Sequence, residues 1–251
     1  EAMTIDQVYA DGVLVAENGA MVVEIPAYPY PGWALRSVHL APLKPEDFWI
    51  TSGDTPVDVR VIQVFPGKVH TEEVMVAMKP VDGRLEADPK NDLAKAAMFY
   101  RHEPRPGATN SKGLGFVGGV KLNAGTAYAS TVSHDCHNLL VIGSDDRAMA
   151  IAANALIEVG GGISVVVNGK IETVMALPLA GLMSLESVDI AAHKVTQVER
   201  ALKKAGCPYD SFEMTLSLLG LIVLEELHLS NRGLVALKEG SPPEFINLIK
   251  G

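Results

Sequence analysis

Residues 163–174 read ISVVVNGKIETV, two β-prone runs joined by Asn168-Gly169. A type I′ turn needs positive φ at both central residues, and Asn-Gly meets that demand at little cost. The pair therefore predicts a two-residue hairpin. A second such signal, Asp11-Gly12, sits inside VYADGVLV at residues 8–15. Between them, Val57, Val59 and Val61 alternate with less apolar positions, and Val74, Val76 and Met78 repeat the pattern. Period two over such lengths predicts half-buried antiparallel strands. A chain with these signals must build antiparallel sheet.

Helical signals come in three places. Asn91 reads as an N-cap, with Leu93, Ala96, Ala97 and Tyr100 on one stripe of a first helix. Ser144 and Asp145 can cap a helix reaching about Val159, and Gly160-Gly161-Gly162 ends it because glycine tolerates the left-handed position. Residues 186–205 place Val188, Ala191, Val195, Val198, Leu202 and Ala205 on one stripe, stopped by Gly206 and Pro208. The proline- and aromatic-rich stretch Pro26 to Trp33 reads as an extended connector. The fold class is therefore α+β, mostly antiparallel sheets with helices packed on one side. The expected division is 1–45, a hairpin and connector, and 46–251, the main domain.

With 48% hydrophobic residues among 251, the chain can bury a substantial core. A formal charge of −9 argues against a nucleic-acid partner, since phosphate binding needs a cationic face. The longest apolar run, Leu216 to Leu224, is too short for a membrane span. Cys136 and Cys207 share no metal or redox spacing, so reduced thiols in a cytoplasm are expected. The first residues show no basic start followed by an apolar run, so no signal peptide is expected.

The richest chemistry lies in Ser133-His134-Asp135-Cys136-His137-Asn138. Two imidazoles and a carboxylate can move protons near neutral pH or ligate a metal. The same residues also suit a turn in which Asp135 and Asn138 bond nearby backbone. Metal ligation is the weaker functional reading, because histidines three apart need a cooperating backbone and a third ligand. Arg101-His102 reads either as part of the same cleft or as favourable charge at a helix C-terminus. The glycine-rich GATNSKGLGFVGG, with Gly113 and Gly115, lacks the phosphate-loop lysine. It suits a mobile lid, or tight turns beside another backbone. Met149, Met175, Met183 and Met214 read as core filler, and Glu225-Glu226 as a solvated face of a helix.

Several longer segments carry a resemblance. RHEPRPGATNSKGLGFVGGVKLNAGTAYASTVSHDCHNLLVIGSDD, ALIEVGGGISVVVNGK, LPLAGLMS and MTLSLLGLIVLEELHLSNRGLV are similar, in order, to the C-terminal region of bacterial and archaeal adenine deaminases. DQVYADGVLVAENG is similar to the segment following that family's catalytic barrel. The chain departs from the family at Cys136, where serine is common, and at Pro104 and Pro106, which alter the glycine-rich loop.

The resemblance implies an amidohydrolase that converts adenine to hypoxanthine and ammonia. It further implies manganese or iron, held by histidines and carboxylates of a (β/α)₈ barrel, and an oligomeric assembly. This chain has no H-x-H strand motif and too few residues for that barrel. No complete metal site is therefore expected within it. The barrel would stand on a missing segment or a separate chain. The implied supporting roles fall to His134, His137 and Asp135 for proton transfer, and to Asn138, Ser133, Arg101, His102, Gly113 and Gly115 for holding adenine or a related purine. A stand-alone purine or small-ligand binding module, or a structural oligomerisation domain, are the competing expectations.

Overall fold

The structure is a computed structural model that describes residues 4–103 and 111–250. Pro104 and Pro106 and the first part of the glycine-rich segment lie outside the described residues. The chain divides into two compact units, Glu1–Pro31 and Gly32–Gly251.

In the first unit, β1 (Gln7–Ala10) and β2 (Val13–Glu17) pair antiparallel around Asp11-Gly12, and β3 (Ala20–Met21) adds to β2. Asp11 has φ 51° and Gly12 φ 78°, the positive pair that the Asp-Gly signal predicts.

The second unit continues with β4 (Ile50–Thr51), β5 (Val57–Gln63), β6 (Glu72–Met78) and β7 (Arg84–Leu85). Then come β8 (Leu93–Phe99), β9 (Lys112–Gly118), β10 (Ala127–Ser130), β11 (Leu139–Gly143) and helix α1 (Asp146–Val159). After these follow β12 (Gly162–Val167), β13 (Lys170–Ala176), α2 (Val188–Lys204), α3 (Phe212–Ser217), β14 (Glu226–Ser230), β15 (Gly233–Leu237) and β16 (Glu244–Ile246). An eight-stranded sheet runs β13-β12-β10-β11-β8-β9-β5-β6, with β14-β15-β16 as a smaller sheet and β4-β7 as a ribbon. Within the large sheet only β5 and β9 pair in parallel.

Side-chain alternation sorts the large sheet into two apolar layers. Ala97, Phe99, Ala127, Ala129, Leu139 and Val141 face α1, which contributes Ala148, Met149, Ala152 and Leu156. Ala96, Met98, Tyr128, Leu140 and Ile142 face the opposite layer, where α2 supplies Val198 and Leu202 and α3 supplies Phe212 and Leu216. The helices thus cover both faces, not one side as the sequence suggested. A central strand then has apolar residues on both sides and loses the polar half of its alternation.

That loss explains the largest correction. Residues 93–99 form strand β8 and not a helix, and all seven are buried. Alanines suit a helix by propensity, but β8 is sandwiched between β11 and β9, where small residues let both layers approach. Asn91 is no N-cap; it closes a short turn capped by the Asp88 carboxylate, which accepts from Lys90 N. Buried Lys95 is neutralised by Glu86 at 2.7 Å and Asp146 at 2.8 Å. This ties β8 to the first turn of α1.

Helix α1 starts and stops as its caps direct. Asp145 accepts from Ala148 N at 2.8 Å, and Gly160 takes φ 84°. On α2 only the C-terminal part of the expected stripe, Val198, Leu202 and the following Ala205, is buried; Val188 is 80% exposed. Met149 and Met175 are core residues, whereas Met183 and Met214 lie at the surface. Glu225 and Glu226 stand at the start of β14 and not on a helix. No helix among the described residues is long and apolar enough to cross a membrane.

Candidate functional site

Strands β10 and β11 are antiparallel neighbours, and the polar cluster is the turn between them. His137 N donates to Ser133 O at 2.6 Å, which closes the turn, and His134 N donates to Ser217 O at the end of α3. His137 has φ 49°, a left-handed conformation that a residue with a Cβ adopts at some cost. The His134 and His137 rings meet edge to face at 5.7 Å. The Asp135 carboxylate is largely exposed and stands 3.8 Å from His134 Nδ1, a weak contact in water. Cys136 is exposed.

Arg101 and His102 follow β8, two positions past its end, and so carry no helix-terminus role. The Arg101 side chain is buried, and burial pulls its pKa down to about 10, opposed by Cys136. It remains charged at neutral pH. Its Nε donates to the His137 carbonyl at 2.5 Å. The two terminal nitrogens reach Ser37 O, Ser37 Oγ and Ala180 O. His102 Nε2 contacts the Cys136 carbonyl at 3.0 Å. The structure therefore brings His134, Asp135, His137, Asn138, Arg101 and His102 to one place.

Ser133 is also there but fully buried, its hydroxyl 4.0 Å from Met98 Sδ. Gly113 and Gly115 are not loop residues. They belong to β9, which is bonded to β8 on one edge and to β5 on the other. A Cβ at Gly113 would lie 2.0 Å from Ser230 O, and one at Gly115 3.2 Å from Leu234 Cδ2. Residues 112–118 are thus no lid; their glycines let the β14–β15 hairpin cross closely over β9.

Two residues absent from the sequence reading complete the cluster. Asn138 Nδ2 donates to Asn231 Oδ1 at 3.3 Å, and Asn231 Nδ2 donates to Ser111 Oγ at 2.6 Å. Asn231 lies in the turn between β14 and β15, and nothing local in the sequence links it to Asn138. Asn138 Oδ1 and His137 Nδ1 are buried without a hydrogen-bond partner among the described residues. Such atoms cost free energy unless a ligand or water meets them.

His137 has its pKa lowered, first by burial, then by His134 and Arg101, with Asp135 opposing. His102 is lowered too, again mainly by burial. Both imidazoles are therefore neutral at pH 7 and able to accept a proton or a hydrogen bond. A cavity of about 440 Å³ adjoins His102, lined by Trp33, Arg36, Ser37 and His39. That is within the range of about 300–1,000 Å³ common for small-molecule sites. A larger one, about 580 Å³, lies on the far part of the sheet beside β6, lined by Val76, Glu86 and Asp92, and contains none of the cluster.

Among the described residues no three His, Cys, Asp or Glu side chains are grouped to hold an ion. The paired imidazoles pack edge to face and His137 Nδ1 is enclosed, so the set present does not fit manganese or iron.

A family model described as the adenine deaminase C-terminal domain matches residues 68–241. The adenine deaminase of Moorella thermoacetica is 44% identical over 236 residues, covering 93% of this chain and 39% of that protein. The adenine deaminase of Clostridium botulinum is 42% identical over 246 residues, covering 97% and 40%. That of Rubrobacter xylanophilus is 41% identical over 233 residues, covering 92% and 38%. The chain spans about two fifths of the length of the curated relatives it matches.

Proposed function

Because this chain belongs to the adenine deaminase C-terminal domain family, we propose that it forms the C-terminal part of an enzyme that hydrolyses adenine to hypoxanthine and ammonia. Residues 46–251 are its α+β domain and 1–45 the end of the portion before it. The metal-holding barrel, with manganese or iron, stands outside this chain, on a further segment or a partner chain. The assembly is oligomeric and cytoplasmic, which agrees with two free cysteines.

One observation carries the reading. His137 Nδ1 and Asn138 Oδ1, on consecutive residues, are buried and without a partner among the described residues, on a turn braced from both sides. In this proposal the turn faces the barrel mouth and keeps bulk water from the reacting base. Hydrolytic deamination forms a C6–O bond, breaks C6–N, and must deliver a proton to the departing amine. An imidazole, that of His137 or His134, passes a proton from the attacking water to that amine, and Asn138 bonds the purine edge. Asp135 acts on His137 by charge, opposing the lowering of its pKa.

The test is His134→Ala and His137→Ala in the assembled enzyme. Loss of a proton relay lowers turnover by about 100-fold or more. Unchanged turnover removes these histidines from the reaction. Adenine-dependent ammonia release by the purified chain alone would contradict the placement of the barrel outside it. A purine-induced thermal shift without any turnover in the assembly would favour a binding module instead.

A further inference from the structure

Arg101 is an unusual buried cation. Its side chain is 1% exposed, yet the four hydrogen bonds it makes to the described residues all end on neutral oxygens. None of the ion pairs among the described residues involves it. Burying a charge without a counter-charge is expensive, so stability alone is a poor account of it. The three segments it joins are the turn at His137, the stretch at Ser37 and the turn at Ala180. Gly181, at φ 72°, gives the guanidinium its space; a Cβ there would lie 2.8–2.9 Å from three of its atoms.

The anchor at His137 is the informative one. His137 sits in the left-handed region, and its carbonyl is the atom Arg101 Nε holds. The backbone conformation of His137 sets where its Cβ points, and so where its imidazole points.

We propose that Arg101 is the positioning residue of this site: it touches no substrate, but holds His137 in the left-handed conformation that aims its ring. The lowered pKa of His137, to which the Arg101 charge contributes after burial and His134, agrees with such closeness. The catalytic part of this inference rests on the deaminase reading above; the conformational part does not.

Arg101→Lys keeps the charge and gives up the planar fork that spans three segments. In the assembled enzyme it should lower kcat about tenfold or more and leave KM within about twofold. Combined with His137→Ala, it should cost no more than about a further twofold, because both changes remove one function. Gly181→Ala, which crowds the guanidinium without removing it, should reproduce the fall in kcat. Where His137→Ala lowers turnover, multiplying effects of Arg101→Lys and His137→Ala, or an unaltered kcat in Arg101→Lys, would overturn the proposal.

In the chain by itself, amide-to-Hα coupling constants report φ at His137. Loss of the left-handed value in a folded Arg101→Lys or Gly181→Ala chain supports the positioning role, and its retention in both overturns it. If His137→Ala leaves turnover intact while Arg101→Lys alters φ, the deaminase role of His137 falls and the conformational role stands.

Discussion

Asn138 and Asn231, 93 residues apart in sequence, join their side-chain amides at 3.3 Å. That bond ties the histidine-bearing turn to the β14–β15 hairpin, while Arg101 holds the same turn from the side of β8. Asn231→Ala leaves the buried Asn138 amide without its partner. It should cost about 1–3 kcal/mol. A lower urea midpoint with an unchanged m-value checks this. An unaltered midpoint would mean that water replaces Asn231 at no cost.

Gly113→Ala should be far more damaging than its size suggests. The new methyl carbon would stand 2.0 Å from Ser230 O and push β9 away from the hairpin. The loss should reach about 3 kcal/mol, the upper end for overpacking. Gly12→Ala serves as the control: it meets no atom within 4 Å and suffers only from its positive φ. Thermal melts of the two variants should therefore separate crowding from backbone strain.

Asp145→Ala removes the side-chain cap of α1, which accepts from Ala148 N at 2.8 Å. The cost should be about 1 kcal/mol. For a domain of this size that lowers the melting temperature by about 2–4 °C. Asp145→Ser keeps a capping oxygen and should recover most of it.

Acid sensitivity should trace to His228. It is fully buried in β14, neither ring nitrogen has a partner among the described residues, and burial lowers its pKa from 6.5 to about 4. The unfolded chain binds a proton near pH 6.5 and the folded chain only near pH 4. Stability present at neutral pH is therefore lost as pH falls through that window, by about 3 kcal/mol. His228→Leu should flatten the dependence of urea midpoints on pH between 7 and 4. An equal slope in both proteins would assign the acid sensitivity to other groups.

Sequence by itself determined what short-range chemistry determines. Asp145 and Gly160 bound α1, Asn168-Gly169 turns β12 into β13, and the valines of 57–61 alternate along β5, because each signal acts within a turn or a few residues. It also marked residues 133–138 as the place to look, since imidazole, carboxylate and amide crowd there.

Tertiary structure decided the rest. Leu93–Phe99 became a strand because flanking strands and two apolar layers, all distant in sequence, outweigh alanine's helical preference. Gly113 serves a crossing hairpin that begins more than a hundred residues later. Arg101 spends its charge on the carbonyls of residues 37, 137 and 180, and Asn138 meets Asn231 and, through it, Ser111. A polar side chain's role depends on which partners the fold brings within about 3 Å of it, and sequence spacing does not encode that distance.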